Sequence, residues 1–165
     1  MLMQWLEMTG TFEDYRAQEA DLWETRWRRQ DQTLTEPARD FIENEVTVAA
    51  IKPDMLQKLR KHVEGRDLEA ELEFHTTANG ALLRRLEAEC ACAGAAVRAE
   101  PNTLEDFVDS RFDAGDIAEE SRDALVEYLD SKTHDRFYWR IRRGMDDLVV
   151  LRKKKLRRGV RQRQR

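Results

Sequence analysis

The stretch HDRFYWRIRRGMDD, residues 134 to 147, is the densest run of chemically able side chains in the sequence. Three aromatics stand in a row among four arginines. Such a composition can stack on bases and hold phosphate, or it can pack a helix core beneath a charged face. Spacing separates the two. Phe137, Ile141, Met145 and Leu148 recur at four, four and three residues, a single helical stripe read as core. Arg136, Arg140 and Arg143 share a neighbouring flank. With Asp135, Arg142 and Asp146 they form a partner interface suited to carboxylates or lipid headgroup phosphates, which a guanidinium grips through paired hydrogen bonds. Downstream, KKKLRRGVRQRQR (153–165) offers Lys153, Lys154, Lys155, Arg157 and Arg158 to phosphate, an anionic membrane face or an acidic protein groove. The bland alternative is a solvated tail.

Other chemistries find little support. His62, His75 and His134 stand in RKHVEG, EFHTTA and KTHDRF, without metal-ligand spacing or a His-Glu-x-x-His pair. A Gly-rich phosphate loop, a Gly-x-Ser-x-Gly elbow and the kinase motifs are missing. Ile51-Lys52-Pro53-Asp54 resembles a segment of nucleoside diphosphate kinases, whose Asn-x-x-His-Gly-Ser-Asp site has no counterpart here; Pro53 reads as a helix start. Cys90 and Cys92 lack the second pair that zinc or a disulfide framework needs, and read as buried or half-buried thiols. Trp23 and Trp27 interleave with Arg26, Arg28 and Arg29, yet their i, i+4 spacing favours packing over base stacking. The expectation is no catalytic residue, no metal, no cofactor and no small-molecule substrate.

The elements that must position these side chains are helical. Seven Gly and three Pro among 165 residues are too few for a meander of short strands, and the dominant residues are strong helix formers. The expected fold is all-α, six to eight short-to-medium helices with a basic C-terminal helix and tail. Thr11 and Asp14 mark a helix start, and the stripe from Phe12 through Trp27 is interrupted by Glu19. A loop holds Gln30 to Thr35, and Pro37 suits a first turn. VTVAAI (46–51) is ambiguous. Pro53-Asp54 opens a helix that Gly65 stops, and Asn79-Gly80 reads as a turn. Leu82, Leu83, Leu86, Cys90, Ala93 and Val97 trace a further stripe ended by Pro101. Thr103 caps a short helix. Residues 116–131 carry Ala124, Leu125, Tyr128 and Leu129 on an apolar side, with Leu125 and Leu129 assigned to the core, and Thr133 caps the last helix. No run reaches the ~18 apolar residues of a membrane span. The opening MLMQWLEMTGTFEDYR, with its early acids, does not read as a signal or transit peptide.

Charge divides the chain. Residues 136–165 hold 13 Lys or Arg against two acids, whereas residues 1–135 hold 16 bases and 31 acids. The two parts therefore meet different surroundings.

Residues 116–147 resemble the 14-kDa subunit of the mitochondrial cytochrome bc1 complex, also called subunit 7 or the ubiquinone-binding protein. Ala124, Leu125 and Leu129 match that family's Ala-hydrophobic-x-x-Leu helix, Asp135 and Arg136 its Asp-Arg, and Arg140, Ile141, Arg142, Arg143, Met145 and Asp146 its basic run. Gly144 stands in place of Ala, Asp130 in place of Pro, and Phe137, Tyr138 and Trp139 fill a gap that is usually two residues. The resemblance implies a non-catalytic accessory subunit of complex III. It would be peripheral on the matrix side of the inner membrane, against cytochrome b and the core subunits, without a cofactor or transmembrane segment of its own. On this reading residues 1–110 are an acidic helical extension, 111–152 the bc1-like segment and 153–165 the basic tail. The alternative is an RNA-associated protein, such as an organellar ribosomal accessory protein, whose basic end holds phosphates.

Overall fold

The computed structural model describes residues 1–27, 34–63, 65–90 and 101–164. Among these residues the fold is all-helical, with nine α-helices and no strand. They are α1 (Leu2–Met8), α2 (Thr11–Leu22), α3 (Glu36–Glu45), α4 (Val48–Leu59), α5 (Gly65–His75), α6 (Ala78–Cys90), α7 (Pro101–Asp113), α8 (Glu119–Leu129) and α9 (Lys132–Arg163). A π-helical turn, Trp23–Trp27, extends α2. Arg28, Arg29, Gln30 to Thr33, Cys92, Ala93 and Val97 lie outside the described residues.

The count exceeds the expected six to eight because local signals were overridden at several joints. α1 precedes the Thr11 start, and Gly10 links α1 to α2 at φ 68°, a left-handed conformation that glycine adopts without steric cost. The ambiguous 46–51 segment becomes helical at Val48, where the Thr47 hydroxyl accepts from the Ala50 amide at 3.2 Å. Pro53 therefore lies inside α4 rather than at its start. Gly65 opens α5 instead of ending a helix. Asn79-Gly80 falls in the first turn of α6, where the Thr77 hydroxyl accepts from the Gly80 amide at 3.0 Å. The last helix is capped by Ser131, whose hydroxyl accepts from the His134 amide at 3.1 Å, and not by Thr133. Helices α7 and α8 begin at Pro101 and Glu119.

Three apolar clusters follow. The first joins Trp5, Leu6, Phe12, Ile51, Met55 and Leu59 to Phe137, Ile141, Met145 and Leu148 of α9. The second packs Leu83 and Leu86 against Leu104, Val108, Leu125 and Leu129. The third sets Trp23, Trp27, Ala38 and Ile42 against Leu156 and Val160. Residues on either side of position 110 thus share every cluster. Helix α9, 32 residues and so about 48 Å long, runs through the first and third. Residues 153–163, set apart in sequence as a tail, are the last three turns of this helix. Among the described residues no helix is long and apolar enough to cross a membrane.

Candidate functional site

The stripe Phe137, Ile141, Met145, Leu148 continues in α9 to Leu156 and Val160, but position 152 between them is an arginine. Arg152 is wholly buried. Its Nε and Nη2 donate to the two carboxylate oxygens of Glu19 at 3.1 and 2.7 Å. Its Nη1 donates to Asp54 at 3.0 Å and to Glu45 at 3.4 Å. Burial opposes the charge, yet the hydrogen bonds and charge of Glu19, and then those of Asp54, outweigh it and raise the guanidinium pKa above its ordinary value. Lys155, one turn on, bridges Glu45 at 2.9 Å and Asp54 at 3.4 Å. This knot binds α2, α3 and α4 to α9 through Glu19, Glu45 and Asp54.

Beyond it the outer face of α9 is basic. No acidic residue occurs from position 148 to 165. Lys154, Arg157, Arg158 and Arg161 are exposed, and none is ion-paired among the described residues. They stand at i, i+3, i+4 and i+7, one face of the helix about 10 Å long. Lys153 is half-buried beside Tyr15, Gln18 and Glu19.

The arginines of the first half of α9 are arranged differently. Arg136 and Arg140 both turn onto buried Asp67, at 3.0 and 3.2 Å, and so clasp the first turn of α5. Arg142 donates to the Tyr138 hydroxyl at 3.1 Å and lies 5.3 Å from the Trp139 ring. Asp135 accepts from the Trp139 indole at 3.0 Å. Arg143 and Asp146 are exposed. Leu125, Leu129, Phe137, Ile141, Met145 and Leu148 are all buried.

A second buried polar knot joins α5, α8 and α9. Glu71 accepts from the Tyr128 hydroxyl at 2.5 Å, and its other oxygen lies 3.1 Å from His134 Nδ1. His75 Nε2 stands 3.5 Å from the Tyr128 hydroxyl, and Tyr128 stacks on Phe74 at 3.5 Å. Glu71, His75 and His134 are buried and Tyr128 is half-buried, and together they join the first cluster to the second. His62 pairs with Asp147 at 3.0 Å, away from the other two histidines. No group of His, Cys, Asp and Glu among the described residues is arranged to hold a metal ion. Cys90 is half-buried against the second cluster, as its place in the apolar stripe suggests.

Sequence reasoning passed over Arg152 and Glu71. The signal for the first was present: Glu19 interrupts the α2 stripe and Arg152 interrupts the α9 stripe, two opposite charges at core positions. Compared with protein families, curated proteins and solved structures, the chain matches none, so function must be read from this geometry.

Proposed function

We propose that the chain is a non-catalytic, RNA-associated accessory protein that grips phosphate through the basic end of α9. The observation that carries this reading is the exposed row Lys154, Arg157, Arg158 and Arg161, on a helix whose Arg152 and Lys155 already pair with Glu19, Asp54 and Glu45. Cations fixed at helical spacing displace counterions from a polyanion and hold its backbone without reading sequence. The acidic remainder of the chain repels nucleic acid, confines contact to this end, and is left to dock other proteins.

Deleting residues 153–165 would also remove Leu156 and Val160 from the third cluster, so substitution is the cleaner test. Lys154→Gln, Arg157→Gln, Arg158→Gln and Arg161→Gln together keep the helix formers and remove four charges. The combined variant is expected to lose at least about tenfold in RNA affinity at low salt, with an unchanged helical circular dichroism spectrum. Undiminished binding by the variant, or no binding by the parent chain, overturns the reading.

A second reading, an accessory subunit of complex III on the matrix side of the inner membrane, is supported by a different stretch of α9. Trp139 and Val150 are 47% and 54% exposed, and lie in one stripe with Arg143 and Asp146. An exposed aromatic beside arginines is the composition of a protein interface core. This reading expects co-purification with cytochrome b and cytochrome c1; recovery of the chain free of both after gentle membrane extraction would end it.

A further inference from the structure

A groove between α3 and the last turns of α9 gives the basic face a shape. It is lined by Phe41, Leu151, Lys154, Arg158, Gly159 and Arg163. Gly159 lets the helices meet there: a Cβ at this position would stand 2.1 Å from Phe41 Cζ, so only glycine allows the ring to lie against α9. Arg163 then closes over Phe41, its guanidinium carbon 4.1 Å from the ring centroid. Its Nη1 donates to the Gly159 carbonyl at 3.2 Å, and its own carbonyl accepts from the Thr35 hydroxyl at 3.0 Å. A long, flexible side chain is thereby ordered in advance at the mouth of a cationic groove.

An ordered guanidinium plane backed by an aromatic ring is a platform on which a nucleobase stacks. Lys154 and Arg158, one turn apart on the groove wall, stand where a phosphate attached to that base can be met. A base inside a duplex is already stacked on both faces and does not reach such a platform. Resting on the reading of the basic end as a polyanion site, we infer that this groove seats one unpaired nucleotide, and that the chain selects single-stranded over double-stranded nucleic acid. The base lies on the Arg163–Phe41 pair, and its phosphate is held by Lys154 and Arg158.

The test is a fluorescence anisotropy titration of the full chain against three probes: a short oligouridylate, a DNA oligomer of the same length, and a blunt RNA duplex. Both single strands are expected to bind roughly tenfold or more tighter than the duplex, the scale of one stacked base. Preference for RNA over DNA adds a 2′-hydroxyl contact, and equal binding assigns the site to base and phosphate alone; either supports the groove. Arg163→Lys, which keeps the charge and removes the plane, is expected to lose about tenfold on single strands with duplex affinity and salt dependence unchanged. Phe41→Leu is expected to do the same, and the surface Arg163→Lys variant carries the test should Phe41→Leu disturb the third cluster. A duplex bound as tightly as a single strand, or single-strand affinity untouched by Arg163→Lys, overturns the groove and leaves the polyanion reading standing. Failure of the parent chain to bind any of the probes at low salt overturns both.

Discussion

Arg152 is the residue on which the α2–α3–α4–α9 packing turns. A buried charge pair is worth little over an apolar replacement, but removing one partner strands the other. Arg152→Met leaves Glu19, only 3% exposed, without its bidentate donor. It is expected to cost about 3–5 kcal/mol in urea denaturation, with much of the loss recovered when Glu19→Leu is added. A double variant no more stable than Arg152→Met alone would contradict this. Tyr15, whose hydroxyl reaches Glu19 at 3.5 Å, gives the knot an alkaline limit. Burial, then the charge of Glu19, raises its phenol well above the ordinary value of 10.0. A group with a raised folded pKa contributes stability that is whole below its unfolded pKa and lost as pH rises toward the folded one. Stability is therefore expected to fall above about pH 10, and Tyr15→Phe to fall less steeply, as chemical denaturation across that range would report. At this scale the sequence was half legible. Glu19 showed as a break in a stripe, but its partner lay 133 residues away and only the fold paired them.

At the scale of elements, close approach decides more than local propensity. Gly80 looked like half of a turn, yet it sits in α6, where a Cβ would stand 2.3 Å from the Phe74 carbonyl oxygen and 2.5 Å from His75 Cα. Backbone cannot give way as a side chain can. Gly80→Ala is expected to destabilise by about 1–3 kcal/mol although alanine is the better helix former. Gly65→Ala, with nothing within 4 Å, is expected to be neutral or slightly stabilising. Thermal melts of the two variants separate the cases; equal effects would show that α5 and α6 are not held as described. The same contest explains Pro53. A proline reads as a helix start in isolation, but the Thr47 cap and the burial of Ile51 start α4 earlier. The helical class and the α9 core stripe were legible because composition and 3.6-residue spacing point the same way. Helix joints were not, because contacts distant in sequence fix them.

At the scale of the molecule, α9 runs through two of the three clusters and uses its cations differently in its two halves. In its first half Arg136, Arg140 and Arg142 turn onto Asp67 and Tyr138, while Arg157, Arg158 and Arg161 of its last turns face outward without an ion pair among the described residues. Net charge and its division were plain in the sequence; which cations are buried or paired was not, since Arg152, buried, and Lys155, paired with Glu45 and Asp54, look no different there from Arg157. If the four outward cations hold a nucleic-acid backbone, as proposed, binding must weaken with salt in proportion to the contacts they make. For a single-stranded RNA probe the logarithm of the association constant is expected to fall against the logarithm of salt concentration with a slope of about −3, the value for roughly four phosphate contacts. In the combined Gln variant at positions 154, 157, 158 and 161 that slope is expected to fall toward zero. A slope near zero in the parent chain, or one that the four substitutions leave unchanged, overturns phosphate binding at this end of α9.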